Sequence, residues 1–230
     1  MYKVTQQDYD VIVFLTKLVY LDLEFPDVFN HKERINKITG LRIDIFDMGD
    51  YDLFIICGTN GLNDWVANFK VGLGFTPRQY DQAYFYIKNN TPNTSKPIII
   101  SGHSLGGGIA EYVSSSLYYH QQVICFTFNG CGCSHLIHPL LRKENDVYNI
   151  ITDNDILNGI TLRIPFVQYY MQHTGKIIMM KDKKHILLSV GSHGNFSLFG
   201  KLDVQQLYEW RRLFTWKMVS ISSKTLWEIV

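Results

Sequence analysis

The pattern of apolar and polar positions divides the chain into alternating strands and helices. Near-continuous apolar runs at 98–101, 122–128 and 147–152, within predicted strands at 97–101, 122–129 and 147–152, are typical of strands whose two faces are both covered. Helix-period patterns precede the first run, over 76–90, and follow it, over 105–119. Strands that alternate with helices in this way predict an α/β fold with a mostly parallel central sheet and helices on both faces.

The flanking segments predict further elements around this centre. Apolar positions at near-helical spacing, begun by a capping box of Thr5 and Asp8, predict a helix over 5–22. The other predicted elements are strands at 41–47 and 51–58 joined by a Met48-Gly49-Asp50 turn, a late hairpin of strands 176–181 and 185–190, a helix at 202–216, and loop over 23–40. No repeat or linker divides the 230 residues, so one domain over 1–230 is predicted, with the two terminal helices packed on it.

Composition and charge exclude several classes of protein. The 22 basic and 21 acidic side chains nearly balance, which argues against a nucleic-acid partner. The longest apolar runs are shorter than the ~18 residues of a membrane span, and the first residues do not have the pattern of a signal peptide. The cysteines Cys57, Cys125, Cys131 and Cys133 lack zinc spacing, so reduced thiols and a cytoplasmic location are expected, whereas the oligomeric state is left open.

The candidate chemistry lies in Gly102-His103-Ser104-Leu105-Gly106, between a predicted strand and a predicted helix. A G-x-S-x-G sequence at such a junction is typical of a nucleophile elbow, in which the serine hydroxyl stands clear of the sheet. Glycines two residues before and after the serine allow strand and helix to pack closely, and the N–H of Leu105 would face the oxyanion formed by Ser104. The alternative is a glycine-rich turn without catalytic function. His103 is expected to be a packing or hydrogen-bonding residue.

Together with its neighbours, this motif resembles the class 3 lipases, the fungal triacylglycerol lipase-like group of α/β-hydrolases. The resemblance rests on segments in family order over about 40–200: FIICGTNGLNDW (54–65), VGLGFTPRQYDQAYFYI (71–87), GHSLGG, ICFTFNGCGCS (124–134) and VYNIITDNDIL (147–157). Three positions depart from the family pattern. Cys57 replaces an arginine, Asn129-Gly130-Cys131 replaces Gly-x-Pro, and Leu157-Asn158 stands where a proline usually follows the acid.

The resemblance implies a Ser-acid-His triad in that chain order. Two acids, Asp153 and Asp155, follow the 147–152 strand, and the resemblance aligns Asp155 with the catalytic acid. The base is expected to be His193, in a glycine-flanked loop, with His185 and His173 as the alternatives.

The same resemblance assigns the remaining parts of the site. Thr59 is the expected first oxyanion donor, with a turn or helix cap as its alternative role, and Leu105 is the second. Residues 60–75 are a candidate lid over an acyl pocket, or else an ordinary surface helix. Neither a metal nor an organic cofactor is implied.

The predicted function is a serine carboxylic-ester hydrolase acting on lipid esters through an acyl-enzyme, of triacylglycerol lipase or phospholipase A type. A lipid or ester substrate is the expected partner, with transient contact to a lipid surface. A short-chain esterase or acyltransferase on the same triad, or a binding module without catalysis, is the alternative.

Overall fold

In the computed structural model of the protein, the described residues are 2–57, 78–91, 96–117, 122–133, 136–137, 146–153, 155, 172–181, 196–204, 219–222 and 225–228. These residues form a nine-stranded sheet in which the spatial order of the strands follows the chain. The strands are β1 (Asn30–Asn36), β2 (Arg42–Asp47), β3 (Asp52–Cys57), β4 (Ile98–His103), β5 (Val123–Phe128), β6 (Asp146–Thr152), β7 (Lys176–Met180), β8 (Val219–Ser222) and β9 (Thr225–Glu228).

The centre of the sheet is parallel, as predicted. Strands β3 to β8 pair in parallel with each successive neighbour. Antiparallel pairs lie only at the two ends of this sheet, where β1, β2 and β3 form a meander and β9 pairs with β8. The carboxyl ends of the parallel strands therefore meet at one edge, which is where ligands bind in open α/β sheets.

Helices cover both faces of this sheet. The described helices are α1 (Gln6–Leu21), α2 (Arg78–Asn90), α3 (Leu105–Ser116) and the short α4 (Phe196–Phe199). One core cluster joins α1 and α4 to the sheet, and the other joins α2 and α3 to it. In β4, Ile99 belongs to the first cluster and Ile100 to the second, which explains why this strand is apolar at successive positions.

The predicted N-terminal helix is confirmed together with its cap. The amide of Thr5 donates to the Asp8 carboxylate at 2.8 Å, and the amide of Asp8 donates to Thr5 Oγ1 at 3.1 Å. The far end of α1 is held to the sheet, because Arg42 donates to the carbonyl oxygen of Val19 and to Asp22 Oδ1. A cation at the C-terminus of a helix also interacts favourably with its dipole.

Two sequence-based expectations are changed by the structure. Residues 30–36, predicted as loop, form the edge strand β1, whose mostly exposed and polar side chains hide its period. The hairpin at 176–181 is wrong, because both edges of β7 are occupied, by β6 and β8. Its second strand, 185–190, and residues 205–216 of the C-terminal helix lie outside the described residues.

Among the residues described above, no helix is both long enough and apolar enough to span a membrane.

Candidate active site

The predicted nucleophile has an unusual backbone conformation with a positive φ. Ser104 falls between the last residue of β4 and the first residue of α3, with φ 56° and ψ −126°. This conformation is sparsely populated for a residue with a side chain and costs about 1–3 kcal/mol. The Ser104 side chain is partly exposed, whereas its neighbours His103 and Leu105 are buried. The bend thus carries one hydroxyl out of a buried strand–helix junction.

Glycines make this bend sterically feasible. A Cβ on Gly102 would lie 2.3 Å from the carbonyl oxygen of Gly106, and a Cβ on Gly108 would lie 2.6 Å from that of Cys131. Gly107 is equally constrained, because its Cβ would lie 2.8 Å from the Cα of Gly130. The close approach predicted for Gly102 is confirmed, and it extends to the loop after β5.

The helix that follows Ser104 presents the predicted oxyanion donor. Leu105 is the first residue of α3, and the first N–H groups of a helix have no acceptor within the helix itself. The positive end of the helix dipole also favours a developing negative charge there. Leu105 therefore remains the predicted second donor. Thr59, the other predicted donor, lies outside the described residues.

His103 packs against α1 and α4 on the opposite face of β4 from α3. Its ring centroid lies 4.2 Å from that of Tyr20 and 4.9 Å from that of Phe196, and the residue is 2% exposed. The expectation that His103 is a packing residue is confirmed. Phe196 also contacts Phe128 at the end of β5, so the start of α4 lies beside the end of β4 and the end of β5.

The two candidate acids follow β6 at the same sheet edge as Ser104. Asp155 is completely buried and its amide donates to the carbonyl oxygen of Thr152 at 3.1 Å, whereas Asp153 is partly exposed and bonds through its amide to Met180. The two acids differ in surroundings as well. The charge of Asp155 contributes, after burial, to raising the pKa of the Cys131 thiol, which places Asp155 near the loop after β5.

That loop contacts both the elbow and the turn that carries Asp155. Asn129, at φ 45°, accepts from the amide of Thr152 at 2.8 Å through Oδ1. The amide of Cys131 donates to the carbonyl oxygen of Ser104 at 3.3 Å. Asparagine tolerates the left-handed region better than most residues, which explains how it replaces the glycine of the family pattern.

The third candidate histidine, His173, is engaged elsewhere. Its Nδ1 lies 2.7 Å from Glu111 Oε2, and Glu111 is a fully buried residue two turns along α3 from Ser104. The other Glu111 oxygen accepts from the amide and hydroxyl of Thr174. This cluster ties α3 to the segment that enters β7. His193, His185 and the candidate lid 60–75 lie outside the described residues.

Sequence reasoning missed Asn129 and the Glu111–His173 pair as parts of this region. For Asn129, the available signal was an asparagine where the family pattern has a glycine. For Glu111, it was a charged residue among the apolar and small residues of α3. Within the described part of the chain, no three His, Cys, Asp or Glu side chains are grouped as metal ligands would be.

Two solved structures show which fold class contains this site. A triacylglycerol lipase whose catalytic centre is a serine protease triad superposes with a TM-score of 0.57 at 14% identity, over 80% of this chain and 84% of that chain. The triacylglyceride lipase of Rhizomucor miehei superposes with a TM-score of 0.52 at 12% identity, over 80% of this chain and 84% of the lipase chain. The fold is therefore that of the lipase-type α/β-hydrolases, as the resemblance implied.

Sequence comparison gives the family. The profile of the phospholipase-like family described as the Tle-like phospholipase domain matches residues 20–144, more than half of the chain. The chain belongs to this family. It is also similar to the extracellular phospholipase A1 of Serratia liquefaciens, with 29% identity over 96 residues. That match spans 42% of this chain and 29% of the length of the Serratia protein.

Proposed function

We propose that the protein is a serine hydrolase of lipid carboxylic esters, with a phospholipid as the first substrate to test. The observation that carries the proposal is the strained backbone of Ser104 at the junction of β4 and α3. The family and the Serratia relative are both named for phospholipase activity, which favours a phospholipid over a triacylglycerol.

In this proposal Ser104 is the nucleophile, Asp155 the acid and His193 the base. His193 takes the Ser104 proton as the hydroxyl attacks the ester carbonyl, and the alcohol leaves with a proton from His193. Water activated by the same imidazole then releases the fatty acid from the acyl-enzyme. The backbone N–H groups of Thr59 and Leu105 stabilise the oxyanion, and the loss of one such donor raises the barrier by about 3 kcal/mol.

The choice of Asp155 is supported by burial. A carboxylate that orients an imidazole is normally held inside the protein, and Asp155 is 0% exposed whereas Asp153 reaches solvent. Asp155→Asn should therefore lower kcat far more than Asp153→Asn. The opposite order would transfer the role to Asp153.

The choice of His193 is supported by a short tether. His193 precedes Phe196 by three residues, and three residues span at most about 11 Å. The Phe196 ring packs on His103, the residue immediately before Ser104. His185 is eleven residues from Phe196 and has no such restriction, and His173 is already paired with Glu111. His193→Ala should inactivate the enzyme while His185→Ala should not.

The decisive experiment compares wild type with Ser104→Ala on three substrates. Fatty-acid release is measured from phosphatidylcholine vesicles, from emulsified long-chain triacylglycerol and from a short-chain p-nitrophenyl ester. Wild type should release fatty acid from the phospholipid, and Ser104→Ala should lose activity by about 10⁴- to 10⁶-fold while unfolding at an unchanged urea midpoint. A fluorophosphonate probe should label wild type and leave the variant unlabelled.

Each contrary outcome identifies one alternative. Turnover of the short ester alone would indicate an esterase, and acyl transfer to an added alcohol in preference to water would indicate an acyltransferase. An absence of turnover and of labelling in folded wild-type protein would leave a binding module on a hydrolase fold.

A further inference from the structure

Asn129 stands at the carboxyl edge of the sheet, where it has a side chain in place of the glycine of the class 3 lipase pattern. It follows the last residue of β5, is 0% exposed and adopts φ 45°. Glycine adopts this conformation without strain, so the backbone alone does not require a side chain here. The amide group of Asn129 therefore adds contacts that a glycine at this position would not make.

Those contacts go to the start of the turn that carries Asp155. The backbone N–H of Asn129 donates to the carbonyl oxygen of Ile150 at 2.9 Å, as a glycine there could also do, and continues the pairing of β5 with β6. Its Oδ1 then accepts from the amide of Thr152 at 2.8 Å and from Thr152 Oγ1 at 3.3 Å. Because the carbonyl oxygen of Thr152 in turn accepts from the amide of Asp155, Asn129 holds the residue from which the turn departs.

The two residues after Asn129 contact the elbow. Gly130 packs against Gly107, so closely that a Cβ on Gly130 would lie 3.1 Å from the Gly107 carbonyl carbon. The amide of Cys131 donates to the Ser104 carbonyl oxygen. Three consecutive residues thus bridge the turn of Asp155 and the backbone of Ser104.

We propose that Asn129 is a positioning residue for the ester hydrolysis, which sets Asp155 relative to Ser104 by holding the main chain of Thr152. This proposal rests on the function proposed above. Without the side-chain amide of Asn129, the Thr152 N–H would lose the Oδ1 acceptor, and the Asp155 turn would move relative to the elbow. A displacement of about 1 Å in a catalytic group lowers the rate by about 100-fold.

The test uses Asn129→Gly, because glycine accepts the positive φ and removes only the side chain. The matched control is Asn149→Ala, which deletes another fully buried side-chain amide, three residues before Thr152 on β6. The Asn149 side chain accepts from Thr127 Oγ1 at 2.7 Å and donates to the carbonyl oxygen of Thr174. Both variants should unfold at lower urea concentration than wild type. Only Asn129→Gly should lower kcat on a p-nitrophenyl ester, by about 10- to 100-fold at nearly unchanged KM.

The pH profile separates positioning from general loosening of the fold. A nearby carboxylate favours the imidazolium and so raises the pKa of a histidine. Displacement of Asp155 should therefore move the acidic limb of the kcat/KM profile to lower pH in Asn129→Gly and leave it in place in Asn149→Ala. Asn129→Asp retains an acceptor oxygen and adds a negative charge, so it should keep kcat within about 10-fold and move the limb to higher pH.

The outcomes distinguish this proposal from the function on which it rests. Wild-type kcat and pH profile in Asn129→Gly, with Ser104→Ala inactive, would overturn the role of Asn129 alone. So would equal losses in the Gly and Asp variants, or an equal loss in Asn149→Ala. Undiminished turnover in Ser104→Ala would overturn the catalytic assignment itself.

Discussion

The carbonyl oxygen of Ser104 accepts a hydrogen bond from the amide of Cys131, at 3.3 Å. The Ser104 amide donates to the carbonyl oxygen of Phe128, at 3.1 Å, so both polar groups of this strained peptide are bonded to β5 or the loop after it. A sparsely populated conformation persists only where the surrounding structure over-determines it. The loop after β5 is therefore as much a part of the elbow as β4 and α3 are.

Replacement of Gly102 should test the packing of this elbow. In Gly102→Ala the new Cβ would lie 2.3 Å from the carbonyl oxygen of Gly106, which is backbone and unable to rotate away. We expect a loss of about 3 kcal/mol in the free energy of unfolding in urea, at the upper end of the usual cost of overpacking, together with the loss of ester hydrolysis. Gly200→Ala is the control, because nothing lies within 4 Å of its added Cβ. Equal stability of the two variants would contradict the packing argument.

The parts of the fold that were predictable are those determined by local pattern and burial. Because β4 and β5 are covered on both faces, their sequences are continuous apolar runs, and these runs predicted the parallel sheet. The capping box of Thr5 and Asp8 predicted the start of α1. β1 was missed because an exposed edge strand with the sequence NHKERIN has no apolar face to detect. β8 and β9 were missed because four residues each provide too few alternations.

In the candidate active site, too, some residues were predictable from local sequence and others were not. Ser104 was predictable because glycine spacing within six residues encodes the bend. The partners of Asn129 and Glu111 were not, since they lie 23 and 62 residues away along the chain, at Thr152 and His173. Contacts at such separations depend on how strands and helices assemble, and nothing in the local sequence of either residue specifies them.

A buried aspartate on β2 should be a sensitive position. Asp44 is 0% exposed, and its Oδ1 lies 2.7 Å from Arg34 Nε and 3.0 Å from His31 Nε2. Because Arg34 is partly exposed, we expect Asp44→Asn to lower the free energy of unfolding in urea by about 2–3 kcal/mol. Asp22→Asn breaks an ion pair between the same Arg34 and an exposed carboxylate. This change should lower the free energy of unfolding by less than about 1 kcal/mol. A larger effect at Asp22 would show that the exposed pair is the important one.

The four cysteines should be unreactive in the folded protein. All four are outside disulfides and buried, and burial raises the pKa of the Cys125 and Cys131 thiols well above the usual range. Since the thiolate is the reactive form, a disulfide reagent at pH 8 should release no chromophore from native protein within minutes. The same reagent should report four thiols per chain in urea. A fast-reacting thiol in native protein would contradict the burial of that cysteine.

Acid should weaken the sheet at the end away from Ser104. The Lys96 ammonium, 2.6 Å from Asp47 Oδ1, holds the pKa of Asp47 well below its usual range, aided by the amide of Gly49 and by Lys32. A carboxyl whose pKa is depressed by folding stabilises the protein above its unfolded pKa of about 3.9 and loses that contribution as pH falls further. The urea midpoint of wild type should therefore fall between about pH 4 and pH 2, and less steeply in Asp47→Asn. Lys96→Met removes the main cause of the shift and should flatten the same pH dependence, whereas an unchanged slope in both variants would show that other groups control acid stability.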